Sequence, residues 1–202
     1  MKLPIVQYGE PVLRAKGKRV DKIDNHIREL AQNMIETMHA ANGVGLAAQQ
    51  VGEALQLTVI DVSQVEDRPS TMKLDGQDVD PRTVMPIILI NPELSLGGQT
   101  VAATEGCLSF PEITGEIERA ESVVARAQTM EGKPIEIEAT GLLARAIQHE
   151  VDHLNGILFI DRMTSAAKAA LSSRLKRLQK ESKGGRRIRA KDLESMETEN
   201  TL

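Results

Sequence analysis

The stretch Thr140-Gly141-Leu142-Leu143-Ala144-Arg145-Ala146-Ile147-Gln148-His149-Glu150-Val151-Asp152-His153-Leu154-Asn155-Gly156 governs how the chain is read. Its apolar residues Leu142, Leu143, Ala146, Ile147, Val151 and Leu154 recur at steps of three and four, which predicts a helix with one buried face. Thr140 stands where a cap belongs, and Asn155-Gly156 is a stop signal. On this helix His149 and His153 lie one turn apart on a single face, so two imidazoles can chelate one metal, and Glu150 between them can reach a water on that metal. The HExxH spacing also fits two satisfied histidines on a half-buried helix, with Glu150 in a structural ion pair.

A catalytic metal usually takes three protein ligands, so the third one separates the possibilities. A third His three residues beyond Gly156 would define one class, but Phe159 stands there. A Glu some twenty residues downstream would define another, and Leu154 to Lys180 offers only Asp161, too close behind the motif. His26 and His39 lie in or beside an earlier helix without a ligand pattern, and both read as structural or exposed. Cys107, in Glu105-Gly106-Cys107-Leu108-Ser109, is the one cysteine; it is either an inert buried thiol or a thiolate ligand whose neighbouring N–H groups face the same site. A third segment, Gly43-Val44-Gly45-Leu46-Ala47-Ala48-Gln49-Gln50, permits close backbone approach and tight packing; it lacks the Lys of a phosphate-binding loop.

Around these segments the chain predicts an α+β fold, with mixed or antiparallel sheets packed about the HExxH helix and a C-terminal helix. Ile27, Leu30, Ala31, Met34, Ile35 and Met38 make a helical stripe from about Asn25 to Ala40, capped by Asp24 or Asn25. Strands are expected at 55–62, 87–90, 122–128 and 134–139, the second closed by Asn91-Pro92 and the last two joined by a turn at 130–133. Residues 63–82, polar and without apolar period, read as a long exposed loop. A last helix is expected after Thr164, with Ala167, Leu171, Leu175 and Leu178 on one side and a frayed end beyond Ser182.

The chain has 202 residues, 41% hydrophobic and 27% charged, which suits one domain over 1–163 followed by a tail over 164–202. No apolar run reaches membrane-spanning length and no signal peptide opens the chain, so a cytoplasmic protein is expected. Three aromatics are too few for a stacking platform on single-stranded nucleic acid. Residues 168–191 carry ten Lys/Arg against one acid, +9, while the rest carries 15 against 28, or −13. A polyanionic partner would therefore meet the tail, unless the charge is simply a solvated helix face.

Taken together, GVGLAAQQ at 43–50, EGCLS at 105–109 and QHEVDH at 148–153 resemble the motifs of the peptide deformylase family, in the family's order and over about Pro4 to Leu171. The resemblance implies a hydrolase that removes the formyl group from N-terminal N-formylmethionine of nascent chains. It implies that Cys107, His149 and His153 hold one divalent metal, natively ferrous iron, with zinc, nickel or cobalt able to replace it. It implies Glu150 as general base, Gln50 and the Leu108 N–H as oxyanion donors, Val44, Gly45 and Leu46 as a strand partner for the substrate backbone, and Leu142, Ala146 and the Arg145 stem as walls of the methionine pocket. The chain departs from simpler members in a longer Gln50–Glu105 stretch and in lacking an arginine after EGCLS. Its charged helical tail, expected to end without a strand, places it nearer the family's helix-tailed branch, with the ribosome as a partner for the basic helix and neither membrane nor DNA as one. The competing classes are an HExxH zinc peptidase with another third ligand and a decayed ribosome-binding protein.

Overall fold

In the computed structural model, residues 1–183 and 188–189 are described. In chain order the elements are β1 (Pro4–Ile5), α1 (Asn25–Ala40), β2 (Gly45–Ala47), β3 (Leu57–Ile60), β4 (Met72–Leu74), β5 (Gln77–Val79), β6 (Ile87–Gly106), β7 (Thr114–Gln128), β8 (Pro134–Thr140), α2 (Gly141–Leu154), α3 (Ser165–Ala170), α4 (Ser172–Lys183) and β9 (Ile188–Arg189). Seven strands form one sheet in the order β2-β3-β6-β7-β8-β4-β5, every neighbouring pair antiparallel. This is the expected α+β class.

The two long helices lie against opposite faces of β3. Leu57 and Val59 pack with Ile27, Leu30, Met34 and Met38 of α1, whereas Ile60 packs with the cluster that holds Leu143, Ile147 and Leu154 of α2. A strand buried on both faces shows no polar alternation, which is why 57–60 reads as a continuous apolar run broken only by Thr58. The Thr58 hydroxyl is satisfied by donating to Leu46 O at 3.0 Å. Asp24 caps α1 by accepting from Ile27 N at 3.1 Å. No helix among the described residues is long and apolar enough to cross a membrane.

The structure corrects several sequence expectations. The strand expected to close at Asn91-Pro92 instead continues to Gly106, with a register irregularity between Ile90 and Glu93. Asn91 takes the left-handed region at φ 53°, and its side chain bonds Val20 N (2.8 Å), Val20 O (2.9 Å) and Gln128 (3.0 Å), so the kink is held from both sides and the strand resumes. Its partner β7 begins at Thr114, eight residues before the expected Ser122. The 63–82 loop contains the β4–β5 hairpin, turned by Asp75 (φ 49°) and Gly76 (φ 80°); positive φ at both central residues is what a tight two-residue turn requires. Thr140 precedes α2 without a capping bond; its hydroxyl meets Thr71 Oγ1 at 2.6 Å, while Ser70 Oγ accepts from Leu143 N at 2.9 Å.

The single C-terminal helix expected is two, α3 and α4, parted at Leu171. Leu175 is buried with Val6, Leu13, Phe110 and Phe159, and Ala167, Leu171 and Leu178 pack against the same cluster. Beyond α4 the tail does return to a strand: Ile188–Arg189 pair antiparallel with Pro4–Ile5. The rest of the expected frayed end lies outside the described residues.

Candidate active site

Three segments distant in sequence converge because α2 packs against β2 and the end of β6 at Gly106 delivers Cys107 to the same place. Gly45 needs to be glycine here, since a β-carbon would sit against the Glu150 carboxylate, 2.7 Å from its Cδ. α2 is held along its length by polar contacts. At its N-terminus Ser70 supplies the acceptor described above. In the middle the Gln148 amide donates to Ala120 O (2.9 Å) and accepts from Ala120 N (3.2 Å), so the helix meets β7 with the bond pair of a neighbouring strand. At the C-terminus Gly156 (φ 72°) donates to His153 O at 3.0 Å and Ile157 N to Asp152 O at 2.9 Å, the paired bonds of a Schellman ending.

The donor atoms of Cys107, His149 and His153 lie within 4.8 Å of one another, with Cys107 Sγ 3.3 Å from His153 Nε2. One thiolate and two imidazoles suit a borderline-to-soft divalent ion, and three protein donors leave a coordination position open. His149 Nδ1 faces Glu105 Oε2 at 3.1 Å, which leaves Nε2 for the metal side. Gln50 accepts from Ala47 N at 2.8 Å through Oε1, and this turns its NH2 group toward Ser109 Oγ (3.3 Å) and Cys107 Sγ (3.5 Å). Glu150 is buried, and its Oε2 has no hydrogen-bond partner among the described residues.

A hollow of about 300 Å³ opens onto these groups, lined among others by Val44, Gly45, Gln50, Cys107, Leu108, Leu142, Arg145, Ala146, His149 and Glu150. Two sequence-singled residues do not reach its wall. His153 lies behind it, and the Leu46 side chain is buried against α1, which leaves Leu46 only its backbone to offer. Neither His26 nor His39 lines it; His39 Nε2 pairs with Asp61 at 2.8 Å.

Sequence reading missed the ionic layer beneath the site. Glu105 takes a bidentate contact from Arg119 (2.7 and 3.0 Å) and another bond from Arg145 (2.7 Å); Arg119 reaches Asp152 (2.7 Å), which Arg162 grips at 2.6 and 2.9 Å. Buried charges endure only when paired in this way. Burial pushes the Glu105 carboxyl up, but His149 and Arg119 outweigh it and hold the group at about 2. Burial also dominates Glu150, raising it to about 7 against the pull of His149 and Arg119. For His149 burial acts downward, and the bonds to Cys107 and Glu105 override it, so its proton is held well above the usual imidazole range. A buried, unpartnered carboxylate beside a cysteine sulfur and two histidine rings, at the base of an open hollow, defines a metal-dependent hydrolase site.

The family profile for polypeptide deformylases matches residues 2–169. A peptide deformylase of Opitutus terrae is 45% identical over 182 residues, 89% of this chain and 94% of that one. The crystal structure of peptide deformylase from Thermotoga maritima matches with a TM-score of 0.69 at 39% identity, covering 81% of this chain and 99% of that one. A peptide deformylase of Synechococcus elongatus in complex with actinonin matches at 0.73 and 39%, covering 85% and 87%. The chain belongs to the polypeptide deformylase family. It is a metal-dependent enzyme that removes the formyl group from N-formylmethionine of nascent peptides.

Proposed function

We propose that Cys107, His149 and His153 hold the catalytic ion, that this ion is ferrous iron in the cell, and that zinc, nickel or cobalt can stand in for it. The convergence of one sulfur and two ring nitrogens within 4.8 Å carries this reading. When bound, the ion supplies Lewis acidity toward water and the formyl carbonyl. Glu150 takes a proton from the attacking water and delivers it to the amine nitrogen as the formyl C–N bond breaks, releasing formate and a free N-terminus. Its buried, unpartnered Oε2 and its position near neutrality support that role. The Gln50 NH2 group and the Leu108 N–H stabilise the oxygen as it gains negative charge.

Val44, Gly45 and Leu46 pair with the substrate backbone as an added strand; β2 stands at the edge of the sheet, which supports this. Leu142, Ala146 and the Arg145 stem enclose the methionine side chain, while the Arg145 guanidinium is occupied with Glu105, Ile117 O (2.9 Å) and Val101 O (2.6 Å). Residues 1–163 carry the catalysis, and the tail over 164–202 docks on ribosomal RNA through the exposed Lys176, Arg177 and Lys180. Action on chains still being made supports a cytoplasmic enzyme.

Glu150→Ala tests the assignment: we expect full metal content and a fall in kcat of about 10²-fold or more. Cys107→Ser, measured alongside, should lose the metal. Wild-type turnover by metal-loaded Glu150→Ala would remove Glu150 from the mechanism, and full metal content in Cys107→Ser would remove the thiolate from the ligand set.

A further inference from the structure

Arg68 lies in the segment joining β3 to β4, exposed, on the wall of the catalytic hollow. Among the described residues it is the one that this hollow shares with a larger one of about 790 Å³ running along the β4–β5 hairpin. The other arginine of the catalytic wall, Arg145, is spent on Glu105 and two carbonyls; Arg68 has no ion-pair or hydrogen-bond partner among the described residues. Its backbone is not free to drift. The residues directly after it are fastened to the metal-binding helix: Ser70 Oγ accepts from Leu143 N at 2.9 Å, Thr71 O accepts from Thr140 N at 3.1 Å, and Pro69 O closes over Gly141 so tightly that a β-carbon there would collide with it. Leu142, between these contacts, is itself part of the catalytic wall. An unpaired guanidinium is thus carried on a rigid bracket at the rim of the reacting site. Beyond it the larger hollow is lined by Glu66, Asp78 and Asp80, the last paired with Arg82 at 2.8 Å, so among the described residues Arg68 is the unpaired cation where the two hollows meet.

We propose that Arg68 is a specificity-determining residue that favours substrates with an acidic side chain at the first or second position after the formylmethionine. The proposal rests on the site assigned above. A guanidinium offers a planar pair of N–H donors to a carboxylate, and it repels a cationic side chain in the same place. Because the pair forms in partly exposed surroundings, the discrimination is modest and weakens with salt.

The test uses the metal-loaded full chain and two peptide sets, formyl-Met-Xaa-Ser and formyl-Met-Ala-Xaa, with Xaa as Glu, Gln or Lys. In wild type at low ionic strength we expect kcat/KM for Glu to exceed that for Lys by about threefold to fivefold in at least one set, with the ratio falling toward one as salt is added. Arg68→Gln should bring the Glu/Lys ratio near one, and Arg68→Glu should invert it. Each variant is read as a ratio on one preparation, so a change in folded fraction or metal loading cancels. A Glu/Lys ratio near one in wild type, or the same ratio in wild type and Arg68→Glu, would overturn the proposal. Glu150→Gln assayed on the Gln peptides judges the underlying site separately: retained turnover there would reject the site assignment, whereas an unaltered ratio in Arg68→Glu rejects Arg68 alone.

Discussion

Gly45 and Glu150 occupy the same few cubic ångströms, one by having no side chain and the other by filling the space with a carboxylate. A methyl group at Gly45 would stand 2.7 Å from Glu150 Cδ and 2.8 Å from its Cγ. Since Glu150 is buried and held on a helix, it can yield only by turning its carboxylate away. Gly45→Ala should therefore lower kcat on a formyl-Met peptide by about tenfold or more while the metal stays bound and far-UV circular dichroism is retained. Turnover within a factor of two of wild type would mean that Glu150 can work from a second rotamer. At this scale the sequence was most informative about Cys107, His149 and His153, which the fold brings within 4.8 Å of one another, because HExxH and the Cys107 turn are local patterns. It was silent about what orients them. Glu105 was read only as part of a motif; Arg119 of β7 meets it and also reaches Asp152 of α2, which Arg162 holds from the segment after α2, a conjunction that no local spacing encodes.

Among the elements, α2 tolerates least change at its ends. Gly156 adopts φ 72°, and a β-carbon there would fall 2.5 Å from Arg14 O. Gly156→Ala should cost about 1–2 kcal/mol, from left-handed strain plus that collision. Urea denaturation should report it, and a midpoint equal to wild type would show that the 14–15 backbone can retreat. Both long helices were legible because a stripe at three-four spacing is a strong signal. Strand lengths were less so. Asn91-Pro92 carries the vocabulary of a terminus, yet here the Asn side chain bonds Val20 and Gln128 across the kink and the strand runs on. The β4–β5 hairpin was hidden for another reason: its strands have three residues each, too short to show alternation, and β4 is ordered by pairing with β8, far away in sequence.

For the molecule as a whole, acid should loosen the join between the N-terminal segment and the C-terminal helices. Asp161 bonds Arg14, Leu158 N (2.9 Å) and Lys168 (3.3 Å). Partial burial raises its carboxyl, but Arg14 and Leu158 N–H prevail and hold it at about 2, below the usual 3.8. The folded state binds its proton later than the unfolded state, so this stabilisation is complete above about pH 4 and is lost as pH falls toward 2. Asp161→Asn should lower stability at pH 7, and the gap to wild type, followed by chemical denaturation, should narrow from pH 5 to pH 2.5; a constant gap would assign the effect to packing. The tail offers a second whole-molecule test. Reversing Lys176, Arg177 and Lys180 to Glu, all exposed while Leu175 faces inward, should weaken salt-sensitive co-sedimentation with ribosomes and leave hydrolysis of a short formyl-Met peptide unchanged. Equal co-sedimentation at low salt would reduce the basic face to a solvated one.

The paired bonds between the Gln148 amide and Ala120 have a further meaning for how such a site endures. They join the His149–Glu105 and Asp152–Arg119 contacts on the same helix, so the rotation of α2 about its own axis is indexed by polar groups rather than by the fit of Leu143 or Ile147. Aim and cohesion are therefore assigned to different residues. A smaller apolar side chain at Leu143 or Ile147 should thus lower cohesion while the imidazoles keep pointing where they did.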